Sequence, residues 1–246
     1  MLFRSNSKGD GEFKRIPEPL AENLKQLERK VLETKADIGF ATDPDGDRLS
    51  IVSNSGRAIG EEYTLVLAYK NYLNYNKTPI VTNLSTSMMI DNLGQKSIRT
   101  KIGEAHVVSK MIELGAEIGG EGNGGVIAKQ VHLGRDSLVA IVMILSLLSS
   151  TKQSLEQIIS SIPSYIFLKD KINIRNNINF DGLETVFDCD EINKQDGIKF
   201  VWKNKWIHIR KSNTEPIIRI FAEAPSNYEA NELINQLKKY LNETTG

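Results

Sequence analysis

The stretch Thr42-Asp43-Pro44-Asp45-Gly46-Asp47-Arg48 places three carboxylates at alternate positions, directly after an apolar run. Strands are predicted on both sides of it, over residues 36–42 and 49–53, so the stretch is a tight loop between two strands. Carboxylate oxygens suit hard divalent cations, and Mg²⁺ is the usual choice where phosphate is handled. The loop therefore predicts a metal site on Asp43, Asp45 and Asp47.

Two other interpretations of this loop stay open at this point. A solvated acidic turn needs no ligand, although the strand before the loop and the arginine after it make that interpretation less favourable. An EF-hand carries glycine at the sixth loop position and a bidentate glutamate at the twelfth. Counted from Asp43, the glycine is fourth (Gly46) and the twelfth residue is Asn54, so an EF-hand is disfavoured.

A second candidate loop is rich in glycine, Gly119-Gly120-Glu121-Gly122-Asn123-Gly124-Gly125. Glycine lets a backbone approach a ligand closely, and Glu121 with Asn123 would offer a carboxylate and an amide to sugar hydroxyls. A flexible turn without a ligand is the alternative, and this stretch taken by itself favours the turn. A dinucleotide-binding fingerprint is not supported, because the glycine spacing differs.

The third candidate loop is Arg210-Lys211-Ser212-Asn213-Thr214-Glu215-Pro216, followed by Arg219. Arginine binds phosphate through its planar fork. Ser212, Asn213 and Thr214 add short donors, and loop N–H groups can form an anion nest. A polar hairpin turn with surface cations is the alternative, but two arginines on either side of three small donors favour phosphate binding.

The predicted elements change character near residue 165. Before it, helices over residues 61–73, 86–93, 105–114 and 136–149 alternate with short strands over 79–83, 97–100 and 117–119, which indicates an α/β layer with a parallel or mixed sheet. After it, a strand over residues 165–174, a hairpin over 197–210, a strand over 217–222 and a closing helix over 227–241 indicate an α+β module.

Composition narrows the class of protein. The 246 residues carry 31 basic and 31 acidic side chains, so no global basic field exists to recruit nucleic acid. The longest apolar run, residues 138–148, is shorter than the roughly 20 residues that a membrane span needs. A single cysteine, Cys189, fits a reducing compartment. We expect a cytoplasmic protein that binds neither nucleic acid nor membrane.

Together the three loops resemble those of the α-D-phosphohexomutase superfamily, which includes phosphoglucomutase, phosphomannomutase and phosphoglucosamine mutase. Residues 42–48 resemble its metal loop, residues 120–125 its sugar-selecting G-E-x-S-G-H loop, and residues 210–216 its phosphate-binding loop. The resemblance implies mixed-sheet α/β domains followed by a small α+β domain. It assigns residues 1–75 to a truncated second domain, 76–165 to a third domain and 166–246 to the C-terminal domain.

The resemblance also implies an activity and a role for each loop. The family shuttles phosphate between C1 and C6 of a hexose through a bisphosphate intermediate, which makes its members isomerases that depend on Mg²⁺. Metal ligands would be Asp43, Asp45 and Asp47, with Arg48 as a catalytic residue beside them. Substrate would be held by Glu121 and Asn123 at the sugar and by Arg210, Ser212, Asn213, Thr214 and Arg219 at the phosphate.

Two departures from the family pattern bear on function. Asn123 stands where the family has Ser, and Gly125 where it has His; this variant resembles phosphoglucosamine mutase-like members and favours an amino-sugar phosphate. Family members also carry a phosphoserine in a first domain, and no similar segment occurs in this sequence. We expect the phosphoserine to belong to an N-terminal domain or a separate chain, and this chain to be inactive alone.

Two alternatives come from other classes of function. The chain could be a sugar-phosphate-binding fragment that is silent until a separate N-terminal chain complements it. It could also be a haloacid-dehalogenase-like phosphatase, whose loop resembles D-x-D-G-T. Asp47 stands where that loop has Thr, and no late acidic pair is found, so the phosphatase is the weakest interpretation. Specificity for mannose or glucose phosphate stays open.

Overall fold

The computed structural model of the chain describes residues 4–6, 8–173, 182–212 and 215–244. An antiparallel hairpin of β1 (Ile38–Thr42) and β2 (Leu49–Ser53) opens the fold, with Thr42 opposite Leu49 at its closed end. Helix α1 (Lys25–Thr34), preceded by a 3₁₀ turn, packs on this hairpin. The acidic stretch therefore closes a hairpin, as the two predicted strands require.

A four-stranded mixed sheet follows, in the order β4-β3-β5-β6. Strand β3 is parallel to both β4 and β5, while β6 is antiparallel to β5. The elements of this unit are α2 (Glu62–Tyr72), β3 (Val81–Asn83), β4 (Ile98–Thr100), α3 (Glu104–Leu114), β5 (Ile118–Glu121), β6 (Gly125–Ala128), α4 (Ser137–Thr151) and α5 (Leu155–Ser160). The mixed α/β sheet expected from the sequence is confirmed.

Three details of this unit differ from the sequence-based expectation. The helix predicted over residues 86–93 is a shorter 3₁₀ helix, Met88–Leu93, which begins after the capping side chain of Ser87. Strand β6 was not predicted, because it is only four residues long and starts at a glycine, which gives a weak strand signal. Helix α5 was also not predicted, although Ser154 and Gln157 form a capping box at its start.

One continuous apolar core lies beneath both candidate loops. Leu49 and Ile51 of the first hairpin pack with Leu65 and Tyr69 of α2 and with Ile144 of α4. Each of these side chains has no exposed surface, so their burial contributes most of the local stabilisation. Because strand β2 shares this core with the mixed sheet, the acidic loop of residues 43–48 is held against the glycine-rich loop.

The C-terminal unit is a five-stranded antiparallel sheet in the order β7-β11-β10-β9-β8. Helix α6 (Asn227–Thr244) covers one face, and Leu233 and Leu237 pack on Ile209 and Ile220. The strands are β7 (Ile166–Asn173), β8 (Glu191–Asn193), β9 (Ile198–Val201), β10 (Trp206–Lys211) and β11 (Ile217–Ala224). The predicted α+β module is confirmed, and β8 is an addition to it.

The other face of this sheet combines polar side chains with the rings of Trp206, Phe167 and Phe221, and it contacts the middle unit. His208 accepts a hydrogen bond at Nδ1 from Ser85 Oγ at 2.8 Å, and Nε2 donates to the Asp196 carbonyl oxygen at 2.5 Å. Met88 N donates to Glu223 Oε2 at 2.8 Å, and Lys199 Nζ donates to the Leu84 carbonyl oxygen. Directional hydrogen bonds therefore join the two units.

Among the described residues, no helix combines the length and the apolar composition that a membrane span requires.

The pKa of His208 predicts a pH-dependent contribution to stability. Burial, helped by the charges of Lys199 and Arg210, lowers this pKa to about 4, whereas an unfolded histidine titrates near pH ~6.5. The unfolded chain therefore takes up the proton first, so the contribution is complete above pH ~6.5 and is lost as the pH falls toward about 4. Between about pH 7 and pH 5 the loss should be about 2 kcal/mol.

Denaturant unfolding of the wild type and of His208→Gln at both pH values measures this contribution. The stability difference between the two proteins should shrink by that amount at the lower pH. The exposed histidine variant His106→Gln is the control and should follow the wild type. Parallel pH profiles for wild type and His208→Gln would contradict the assignment.

Candidate functional site

The three aspartates of the first loop converge. One carboxylate oxygen from each of Asp43, Asp45 and Asp47 lies within 4.8 Å of the others. The turn is closed by a hydrogen bond from Gly46 N to the Asp43 carbonyl oxygen at 3.3 Å. Ser137 N at the start of α4 donates to the Gly46 carbonyl oxygen at 3.0 Å, which anchors the loop to the middle unit.

Arg48 compensates part of the negative charge. Its backbone N–H donates to Asp43 Oδ1 at 3.1 Å, and its Nε lies 3.7 Å from Asp43 Oδ2 and 3.8 Å from Asp47 Oδ1. Its Nη1 lies 3.4 Å from Glu18 Oε1. The arginine that follows the carboxylates in the sequence thus folds back over two of them.

Asp43 and Asp47, the two less exposed aspartates, differ in pKa. Burial and the neighbouring carboxylate of Asp43 raise the pKa of Asp47 to about 6, against the opposing charge of Arg135. Burial acts on Asp43 in the same direction, but its interaction with the Asp47 side chain and the hydrogen bond from the Arg48 backbone N–H hold the pKa of Asp43 below its usual value. Two carboxylates this close favour either a shared proton or a cation between them.

The donor set fits a hard divalent cation. All three side chains offer oxygen, which Mg²⁺ and Ca²⁺ prefer. Asp47 Oδ1 is buried and has no hydrogen-bond partner, so this atom has a coordination position to fill. Among the described residues, this is the one acidic cluster whose ligand atoms converge in this way.

The glycine-rich loop is the tip of the β5–β6 hairpin and touches the metal loop. Leu49 N, at the start of β2, donates to the Gly124 carbonyl oxygen at 3.1 Å. Gly124 has a φ of 90°, and a Cβ there would lie 2.3 Å from the Leu49 carbonyl oxygen. Only glycine therefore allows the two backbones to meet, and this contact sets the distance between the loops.

Glu121 and Asn123 are less free than the sequence suggests. Glu121 is 5% exposed, and its Oε1 accepts hydrogen bonds from Asn83 Nδ2 at 2.7 Å and from Gly103 N at 3.0 Å. Its Oε2 accepts from Arg135 Nη1 at 2.9 Å. Asn123 Oδ1 accepts from Gly125 N at 3.3 Å within the turn. The Glu121 carboxylate is held in one orientation by three donors.

Arg135 is a site residue that the sequence analysis missed. It lies between β6 and α4, and its side chain is only 13% exposed. The guanidinium contacts Asp47 of the metal loop, Glu121 of the glycine-rich loop and Glu104 of α3. Its sole sequence signal is a position just before the capping aspartate of a long apolar helix, which does not reveal a contact with residue 47.

The predicted phosphate loop joins β10 to β11. Arg210 and Arg219 face each other across these strands. Arg210 is 6% exposed, and its Nε donates to Asp196 Oδ1 at 3.2 Å. Arg219 pairs with Glu215, and its Nε donates to Ser212 Oγ at 3.4 Å. The two arginines and Ser212 are therefore brought together, while the predicted donors Asn213 and Thr214 lie outside the described residues.

Three family models match the chain in consecutive order. Domain II of phosphoglucomutase/phosphomannomutase matches residues 1–56, the alpha/beta/alpha domain III matches residues 60–165, and the C-terminal domain matches residues 174–239. The chain belongs to this family. The model for domain III begins before α2 and so includes it, whereas the sequence analysis placed α2 in the preceding domain; that division stays a prediction.

Curated relatives carry names from the same family. A phosphoglucosamine mutase of Methanocaldococcus jannaschii is 34% identical over 256 residues, covering 97% of this chain and 57% of the relative. A phosphoglucomutase/phosphomannomutase of Thermococcus kodakarensis is also 34% identical, covering 97% of this chain and 54% of the relative. The chain thus spans a little over half the length of the relatives it matches.

Solved structures share the fold. A phosphoglucomutase/phosphomannomutase family protein from Burkholderia thailandensis superposes with a TM-score of 0.76 at 25% identity, over 93% of this chain and 52% of that chain. An N-acetylphosphoglucosamine mutase of Aspergillus fumigatus, solved with GlcNAc-6P and magnesium, superposes with a TM-score of 0.62 at 14% identity, over 89% of this chain and 52% of that chain. The second likeness shows the fold alone.

Metal binding at the aspartate cluster predicts a sharp effect of Asp45→Asn. Asp45 is exposed, so the substitution removes one charged ligand with little effect on packing. Calorimetric titration with Mg²⁺ should show a loss of affinity of at least about tenfold. Changes to groups that only hydrogen-bond a metal ligand already cause a loss of that size. Asp37→Asn, an exposed aspartate just before β1, is the matched control and should bind like the wild type. Equal isotherms for Asp45→Asn and wild type would move the cation elsewhere.

Proposed function

We propose that this chain forms the metal-, sugar- and phosphate-binding portion of a phosphohexomutase. The complete reaction interconverts hexose 6-phosphate and hexose 1-phosphate through a bisphosphate, and glucosamine phosphate is the favoured substrate. The observation that carries the proposal is the convergence of the aspartate cluster and the glycine-rich loop around Arg135. It occurs in a chain that three consecutive domain models of one mutase family match.

The aspartate loop would hold the reacting phosphoryl group. Asp43, Asp45 and Asp47 would bind Mg²⁺, and this cation when bound offsets negative charge on the phosphoryl group in transfer. Arg48 already lies against two of the carboxylates and would keep them oriented. The choice of Mg²⁺ rests on the oxygen-only donor set and on the phosphate chemistry of the resembled family.

The other two loops would position the substrate. Glu121 and Asn123 would contact sugar hydroxyls, and Arg210, Ser212 and Arg219 would bind the phosphate that does not react, together with Asn213 and Thr214. Such remote binding energy orients the reacting phosphate at the metal loop. Arg219 would exchange its partner Glu215 for the phosphate, since one fork serves either anion.

The phosphoserine would come from an N-terminal domain or a separate chain. Serines near the site are poorly placed to replace it: Ser137, beside Gly46, is buried, Ser85 Oγ donates to the buried His208, and Ser87 is itself buried. The alternative function, a sugar-phosphate-binding fragment that is silent alone, rests on the same observation. Both functions use the same three loops, and turnover after complementation separates them.

An amino-sugar substrate is supported by two kinds of evidence. The sugar loop contains the Asn123 and Gly125 variant that resembles phosphoglucosamine mutases. Relatives with that name match nearly the whole chain at 34% and 33% identity. A relative named phosphoglucomutase/phosphomannomutase matches equally well, so mannose and glucose phosphates are the competing substrates.

We predict that the chain alone does not interconvert glucosamine 6-phosphate and glucosamine 1-phosphate. The measurement is a coupled assay with Mg²⁺ and a hexose 1,6-bisphosphate activator, and it should read background because no phosphoserine loop is present to exchange phosphate. An active phosphoglucosamine mutase in the same assay is the positive control. Sustained conversion by the chain alone would contradict this account of the phosphoryl donor.

We predict opposite effects of two substitutions in the phosphate loop. Arg219→Ala should weaken binding of glucosamine 6-phosphate by about tenfold or more, since a charged hydrogen bond contributes about 1.5–3 kcal/mol. Glu215→Gln should tighten binding, because it removes the competing anion from Arg219. Calorimetry of the full chain measures both, with Lys203→Ala, an exposed cation elsewhere on the same unit, as the control.

Free glucosamine is the ligand control for this experiment. If it binds as tightly as glucosamine 6-phosphate, the loop does not recognise phosphate. Affinity should also decrease with added salt, because the site is partly exposed and its charges are screened.

A further inference from the structure

Arg135 connects two loops that have separate predicted roles. Its Nη1 donates to Glu121 Oε2 at 2.9 Å, and its Nη2 donates to Asp47 Oδ2. A guanidinium is planar and rigid, so its two terminal nitrogens cannot move independently. The Asp47 and Glu121 carboxylates are therefore linked through one rigid group.

The position of Arg135 is itself fixed from two directions. Glu104 Oε1 accepts from Arg135 N at 3.0 Å, and Glu104 Oε2 accepts from Arg135 Nε at 3.1 Å. The side-chain stem runs over Gly125, where a Cβ would lie 2.2 Å from Arg135 Cδ. The glycine at 125, which replaces the usual histidine of the resembled family, thus makes room for the arginine.

The two carboxylates at the ends of the fork are poised differently. Asp47 keeps Oδ1 buried and without a hydrogen-bond partner, on the side of the aspartate cluster. Glu121 has both oxygens engaged, with Oε1 held by Asn83 Nδ2 and Gly103 N. Cation binding can therefore change the environment of Asp47, and the Glu121 contacts can report the change.

We infer that Arg135 is a positioning residue that couples cation binding at the aspartate cluster to the orientation of Glu121 in the glycine-rich loop. The inference rests on the proposed function, since it takes Asp47 as a metal ligand and Glu121 as a sugar ligand. It also explains why glycine is suitable at position 125, because a side chain there would displace the Arg135 guanidinium from its place between the loops.

The experiment is an Mg²⁺ titration of the full chain followed by ¹⁵N NMR. The Gly103 backbone amide and the Asn83 side-chain amide report on Glu121, because both donate to its Oε1. In the wild type these two signals should shift together with the amides of residues 45–48. The Leu49 amide reports the separate backbone route through Gly124.

Two substitutions should remove the coupling, one by deleting the guanidinium and one by displacing it. In Arg135→Gln the amides of residues 45–48 should still respond to Mg²⁺, while the response of Gly103 and Asn83 is lost and that of Leu49 remains. Gly125→Ala should give the same loss, because its Cβ displaces the arginine stem. The double variant should lose no more than either single one, since both act through the same contact. Arg57→Gln, which removes an exposed ion-paired arginine far from both loops, is the control.

Each outcome decides the inference. If Gly103 and Asn83 respond to Mg²⁺ in Arg135→Gln as they do in the wild type, the inference is wrong and the metal site stands. If residues 45–48 do not respond in the wild type, both the proposed metal site and the inference fail. Should Arg135→Gln not fold, Arg135→Lys and Gly125→Ala carry the same test, because a lysine cannot reach both carboxylates with one fork.

Discussion

The site depends on charge compensation: Arg48 and Arg135 offset the negative charge of the aspartate cluster. Asp43 and Asp47 lie close enough for burial and mutual repulsion to raise the pKa of Asp47 to about 6. Arg48 lies against both from one side, and Arg135 contacts Asp47 from the other. Without these cations, the loop would either open or take up protons, since like charges at this distance cannot all remain ionised.

That constraint explains why the site spans several elements. Arg135 can reach the metal loop only because Ser137 N binds the Gly46 carbonyl oxygen and so places the start of α4 beside the loop. The shared apolar core of β2, α2 and α4 makes this arrangement rigid. Apolar packing of β2, α2 and α4 and the ion pairs of Arg135 thus both support the site. Such support holds binding groups to a defined geometry.

Much of the fold could be predicted from local sequence. The boundaries of β2 were predicted correctly, because an acidic loop and an Asn-Ser-Gly turn lie on its two sides. Strand β6 was missed because it is four residues long and begins at Gly125, and α5 was missed although its capping box was present in the sequence. Local signals thus predict the longer elements, while short strands and helices escape them.

The candidate site divides in the same way. The convergence of the three aspartates and the pairing of Arg210 with Arg219 follow from hairpin geometry, which sequence spacing can predict. The role of Arg135 could not be predicted, because its partners lie 88, 31 and 14 residues away and nothing local marks them. The same holds for Glu215, whose ion pair with Arg219 becomes visible only once the hairpin is folded.

The polar contact between the C-terminal sheet and the middle unit suits a site made of loops on both. His208 with Ser85, and Glu223 with Met88, are directional contacts made by fully buried side chains of the C-terminal sheet. Burying such groups is favourable only while every partner is present. Arg210 of the proposed phosphate loop is linked to the middle unit through Asp196, whose Oδ2 accepts a hydrogen bond from Ile102 N at 3.0 Å.

In the proposed function, the aspartate cluster and the glycine-rich loop form one metal-centred site. Paramagnetic broadening by Mn²⁺, bound to the full chain in place of Mg²⁺, tests it most directly. The strongest broadening is expected at the amides of Asp43 and residues 45–48, with clear broadening at residues 121–125 and at Arg135, and none along α6. Broadening centred on any other acidic surface would contradict this single site. Loss of the amide signals of residues 45–48 without broadening at residues 121–125 would also contradict it.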